Sequence, residues 1–80
     1  MTAKHPNLVK IGQQIRNIRR AQGYSQEEFA AITGLGRTYM GRVERGEQNV
    51  SIQNLIQIAL ALNVEVGNLI PPLVELYKKG

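Results

Sequence analysis

Apolar residues recur at spacings of three and four along most of this chain, the signature of helices with one buried face. In the first such segment, about residues 7–22, Leu8, Ile11, Ile15 and Ile18 share a face, while Arg16 and Arg20 lie four apart on a polar one. A second segment over about 26–33 turns Phe29 and Ala30 inward, and a third over about 37–45 turns Met40 and Val43 inward. The fourth, about 52–62, carries Leu55, Ile58, Ala59 and Leu62 as one face, with Ile56 and Leu60 off it. A short fifth helix is predicted between Val66 and Ile70, and Leu73 to Lys79 adds a last turn or two. Gly23, Gly34 and Gly46 each follow a periodic segment, where a residue with positive φ ends a helix. Ser25 and Glu28 form a capping-box pattern ahead of the second segment, and Ser51 is an N-cap candidate for the fourth. Pro71-Pro72 closes the patterned region, and neither sustained alternation nor a hairpin dipeptide marks a strand. The pattern predicts an all-α fold, a compact five-helix bundle.

The second and third segments are unusually short and stand only Gly34-Leu35-Gly36 apart. Two such helices cross steeply only where small residues meet at the elbow. Ala30 supplies the small contact, Gly34 the positive φ, and Leu35 an apolar plug beneath the turn. That is the mechanical specification of a helix-turn-helix over about 26–45, whose second helix is presented to the DNA major groove.

Charge sharpens the picture. The chain has 80 residues and a net charge of +4. Residues 1–46 hold Lys4, Lys10, Arg16, Arg19, Arg20, Arg37, Arg42 and Arg45 against Glu27, Glu28 and Glu44, a balance of +5, which leaves −1 for residues 47–80. A polyanion suits the first part, and nucleic acid is the commonest one, with double-stranded DNA the form a helix-turn-helix takes, although a basic surface can also be simply solvated. The length fits one domain, with a core over about 8–70 and a tail over 71–80. A domain of this size buries only about 60–65% of its unfolded surface, so dimerisation is expected to help it.

The segment resembles the helix-turn-helix family of Cro and the phage repressors, the XRE-like family. The likeness covers about residues 8–70 and includes Ile11-Gly12, Ile15-Arg16 through Arg19, Ser25-Gln26-Glu27-Glu28-Phe29-Ala30 and Val43-Glu44-Arg45-Gly46. Within it, Leu35-Gly36-Arg37-Thr38-Tyr39 is similar to the recognition helix of the small controller proteins of restriction–modification systems. The resemblance implies a sequence-specific transcriptional regulator that acts as a homodimer on a two-fold operator. It also implies an ion pair between Arg19 and Glu44 that orients the third helix and sets Arg19 near phosphate.

Residue chemistry fits that role. Arg37, Thr38 and Arg42 fall on the outer face of the third helix, opposite Met40 and Val43. Either arginine can grip a guanine edge bidentately, and Thr38 can bond an edge or pack on a thymine methyl. Gln26 opens the second helix, where backbone N–H groups favour phosphate and its amide adds a donor. Arg45, Gln48 and Asn49 follow the third helix as phosphate contacts that set register. Tyr39 is amphipathic and reaches a phosphate or sugar edge, with plain surface packing as the alternative. Gly36 gives up a side-chain cap, at a few tenths of a kcal/mol. Gly41, inside the helix, suggests close approach of backbone to the groove.

One such motif reads few base pairs, so a pair on half-sites about 34 Å apart is expected. Ile56, Leu60, Val66 and Ile70 are the candidate dimer interface, unless the Leu73–Tyr77 tail folds back over them. The remaining chemistry is sparse. There is no Cys, and the single His5 sits in an end expected to fray, so neither a metal site nor a nucleophile–base pair can be assembled. No enzyme activity, cofactor or small-molecule ligand is expected. No apolar run approaches the ~20 residues that cross a bilayer, and residues 1–7 lack a signal-peptide core, so a cytoplasmic protein without a membrane partner is expected. An antitoxin-type protein-interaction module on the same fold is the alternative, and it needs a tail that orders on its partner.

Overall fold

Proline is tolerated in the first turn of a helix, where its missing N–H has no partner to lose, and the first helix begins on one. In the computed structural model, which describes residues 5–78, α1 runs Pro6–Ala21. Lys4 and Lys79, named above, lie outside the described residues. At the end expected to fray, His5 Nδ1 accepts the Asn7 N–H at 3.1 Å and caps α1. α2 runs Gln26–Thr33, α3 Arg37–Glu44 and α4 Ile52–Leu62. Single 3-10 turns follow at Val66–Leu69 and Leu73–Glu75, and no strand occurs among the described residues.

The capping sites behave as their side chains dictate. Ser25 Oγ accepts the Glu28 N–H at 3.0 Å while Glu28 Oε1 accepts the Ser25 N–H at 2.8 Å. Ser51 Oγ accepts the Asn54 N–H at 3.1 Å. α4 ends without a glycine, on Asn63 at φ 55°. The predicted fifth helix is a 3-10 turn, and the tail beyond it holds one turn more. The reason is Pro71-Pro72, which has no N–H to continue an α-helical ladder and disfavours helical backbone just before it.

Ile15, Phe29, Met40, Ile58, Leu62 and Leu69 are fully buried and draw one residue or more from every α-helix. Leu35, the expected plug, packs against this cluster from the turn. α1 crosses the end of α3 with backbone nearly touching backbone. A Cβ on Gly12 would run into the Val43 carbonyl oxygen and lie 2.8 Å from that of Glu44. Side-chain amides tie α1 down at its middle and its end: Gln14 donates to the Asn68 carbonyl at 2.9 Å and Gln22, the C-cap, to that of Leu62 at 2.8 Å. Among the described residues no buried side-chain nitrogen or oxygen lacks a partner, and no single helix is long and apolar enough to cross a membrane.

Candidate nucleic-acid interface

α3 is eight residues long and is built against its own stability. Its N-cap, Gly36, offers no side-chain bond, and its first turn holds no acid to meet the positive end of the helix dipole. Arg37 stands there instead, an arrangement that weakens the helix by a few tenths of a kcal/mol. Gly36 sits at φ 91°, so the glycine is required by the backbone, and Ser or Asp would be strained there. This replaces the small capping loss expected from sequence. Local choices that oppose the fold concentrate at functional surfaces.

Met40, Gly41, Val43 and Glu44 are buried, which turns Arg37, Thr38 and Arg42 outward, all three exposed. Gln26, Arg37, Thr38, Gly41 and Arg45 line one shallow, open depression between the start of α2 and the outer face of α3. Arg45 therefore shares a surface with Arg37 and Thr38, and its Nε donates to Glu47 Oε1 at 3.2 Å. Gly41 has a packing role as well. A Cβ there would lie 3.1 Å from Arg45 Nη1 and 3.5 Å from Gln26 Oε1. The glycine leaves room for these two side chains while it lines the depression itself.

Glu44 is the hub beneath. It accepts Arg19 Nε at 2.7 Å and Nη2 at 2.9 Å, and Gln26 Nε2 at 3.2 Å. Arg19 also donates Nη1 to the Tyr24 carbonyl at 2.8 Å. The Arg19 guanidinium is thus buried and held by three hydrogen bonds, one from each of its nitrogens. Gln26 likewise holds its amide on Glu44, leaving the N–H groups at the start of α2 as the donors facing out. Beside them the Glu28 carboxyl is held below its ordinary 4.5 by the Ser25 backbone N–H first and the Ser25 hydroxyl second.

Tyr39 lies on the other flank of α3, half-buried, with its oxygen accepting Asn54 Nδ2 at 3.0 Å. Gln48 is half-buried and Asn49 exposed on the segment after α3. Remote from these, Ile56, Leu60 and Val66 border one open depression beside the end of α4, and Ile70, 37% exposed, lies outside its lining. Ile56 and Leu60 are 42% and 75% exposed. The tail leaves them bare, because it is held elsewhere: Tyr77 N–H donates to Asn7 Oδ1 at 2.7 Å and Asn7 Nδ2 donates to the Tyr77 carbonyl at 3.3 Å. The fold-back alternative is thereby overturned.

Residues 15–69 match the helix-turn-helix family. The chain belongs to that family. Control protein C.SmaI of Serratia marcescens is 45% identical over 60 residues, 75% of this chain and 71% of that protein. The crystal structure of the restriction-modification controller protein C.AhdI from Aeromonas hydrophila has a TM-score of 0.81 at 47% identity, over 82% of this chain and 100% of that one. The structure of the master regulator for biofilm formation SinR in complex with DNA has a TM-score of 0.71 at 40% identity, over 74% and 95%.

In this helix-turn-helix chain, sequence reasoning missed three residues of α4. Ile52, 69% exposed, extends the Ile56 and Leu60 stripe at a spacing of four. Asn54 reaches Tyr39, and Gln57 Nε2 donates to the Thr33 carbonyl at 2.9 Å. The available signal was polar amides three apart on an otherwise apolar helix. Among the described residues no group of three or more His, Asp or Glu is placed to hold a metal ion.

Proposed function

We propose that this protein is a sequence-specific regulator of transcription that binds double-stranded DNA as a homodimer on a two-fold operator, in the manner of a restriction–modification controller. The observation that carries this is the exposed face of α3, where Arg37, Thr38 and Arg42 stand outward on a helix stabilised from behind by Gly12, Arg19 and Glu44. Arg37, Arg42 and Thr38 read base edges in the major groove. Gln26, Tyr39, Arg45, Gln48 and Asn49 hold the backbone and set register. The bare stripe of Ile56 and Leu60, with Val66 beside it, is the isologous contact, and Ile70 borders it. The likeness to control proteins supports the same reading. The interaction-module alternative needs a tail free to order on a partner, and here Tyr77 is hydrogen-bonded to Asn7.

Selection of bound duplexes from a random pool tests this directly. An inverted repeat with half-sites about one turn apart is expected. Arg37→Ala and Arg42→Ala should each lose about 1–3 kcal/mol on the selected site and relax preference at one position, while Arg45→Ala weakens all sequences alike and lowers the salt slope by about 1. Equal losses on random DNA for all three variants contradict this division of labour. A chain that stays monomeric at tens of micromolar and still binds the site contradicts the dimer.

A further inference from the structure

Tyr39 is the one proposed backbone contact whose hydroxyl is already engaged from within the fold. A phenol carries one O–H donor and acceptor lone pairs on the same oxygen. Asn54, in the first turn of α4, fills a lone pair by donating its Nδ2 at 3.0 Å. With the amide set this way, the phenol hydrogen is left to be donated, and among the described residues no protein acceptor takes it. Donation into an oxygen polarises its own O–H and makes it a stronger donor. The backbone of Asn54 is fixed, because its N–H caps onto Ser51 Oγ at 3.1 Å. One turn further on, Gln57 anchors the same helix to the end of α2 through the Thr33 carbonyl. The amide therefore holds the phenol at a set position relative to both helices of the motif.

An acceptor must meet that hydrogen from outside the protein. Arg42, three residues on and so a neighbour of Tyr39 on the surface of α3, is exposed, so the acceptor that suits the surroundings is anionic. We propose that Asn54 is a positioning residue for DNA binding: its amide orients the Tyr39 hydroxyl so that the O–H is donated to one backbone phosphate. This rests on the regulator reading above. It adds a residue from outside the helix-turn-helix, without contact to DNA, to the set that fixes register.

A double-mutant cycle tests it, with the duplex that the wild-type chain enriches from a random pool as probe. Tyr39→Phe and Asn54→Ala are each expected to weaken binding about 10-fold, and the double variant no more than either alone. Alanine is a good helix former and the Ser51 cap uses main chain, so Asn54→Ala should keep its thermal unfolding midpoint. Should it unfold, Asn54→Ser, whose side chain is too short to reach Tyr39, carries the same cycle. Methylphosphonate placed at one phosphate at a time gives a readout that loss of packing does not move. One position should weaken wild-type binding and leave both single variants unaffected. Additive losses, wild-type affinity in Asn54→Ala, or the same phosphate dependence in all three proteins would overturn the role of Asn54 alone. A wild-type chain that enriches no duplex overturns the regulator reading, and this inference with it.

Discussion

Replacing Glu44 with alanine should cost about 3–5 kcal/mol of folding stability, the range for breaking a buried ion pair from one side. The geometry puts it there. Glu44 accepts bonds of 2.7 and 2.9 Å from Arg19 and 3.2 Å from Gln26, and the paired side chains are only 8% and 3% exposed. Truncation leaves Arg19 buried with the Tyr24 carbonyl as its remaining partner. A chain this short has about 4–12 kcal/mol of stability in all, so the variant should melt well over 10 °C lower. Removing both charges at once is different: Arg19→Met with Glu44→Leu should return to within about 1 kcal/mol of wild type, because the cost lies in the orphaned charge. Urea unfolding followed by circular dichroism measures all three proteins. A Glu44→Ala loss below about 1 kcal/mol, or a double variant as unstable as the single, would refute the reasoning. The restored double variant should still bind DNA more weakly, since Gln26 has lost the acceptor that holds its amide beside Arg45.

Gly12→Ala should destabilise by about 1–3 kcal/mol, the range for overpacking, because the new methyl meets the carbonyls of Val43 and Glu44; an unchanged melting temperature would show that α1 can withdraw freely. Leu60→Glu should shift sedimentation toward monomer with little change in chain stability, and a dimer that persists places the interface elsewhere. The Glu28 carboxyl has a folded value below its ordinary 4.5. Its contribution is thus present above 4.5 and lost as pH falls through the lower folded value. The melting-temperature advantage of wild type over Glu28→Gln should therefore shrink on acidification, and an advantage that grows instead would contradict the capping geometry.

The helices were legible because their signals are local. Ser25 and Glu28 announce a start within four residues, and Gly34 an end, through chemistry that needs no distant partner. Leu35 followed from the short turn between α2 and α3, and the outward set on α3 from helical period. What sequence could not convey depends on chain segments far apart. Gly12 reads as an unremarkable helix interior until α3 is laid across it. Nothing near Gly41 in sequence shows that Arg45 and Gln26 both lie within 4 Å of where its Cβ would stand. Arg19 and Glu44 pair as the family resemblance implied, but how deeply they lie, with Arg19 only 6% exposed, is set by α1 and α3 closing around them. The tail was ambiguous for the same reason, since its anchor, Asn7, is 70 residues away in sequence.

On the proposed reading, α4 carries two functions on one rigid body. Ile52, Ile56 and Leu60 form its bare stripe, and Asn54 and Gln57 grip the recognition unit from the adjoining face. In a dimer built on that stripe, α4 is a ruler as well as a clamp: the distance between two copies of α3 is written in its turns. Exchanging Arg37, Thr38 and Arg42 would rewrite the half-site and leave the spacer alone. Repacking Ile56 or Leu60 would change the spacer and leave the half-site alone, so the two halves of an operator's grammar can be altered one at a time.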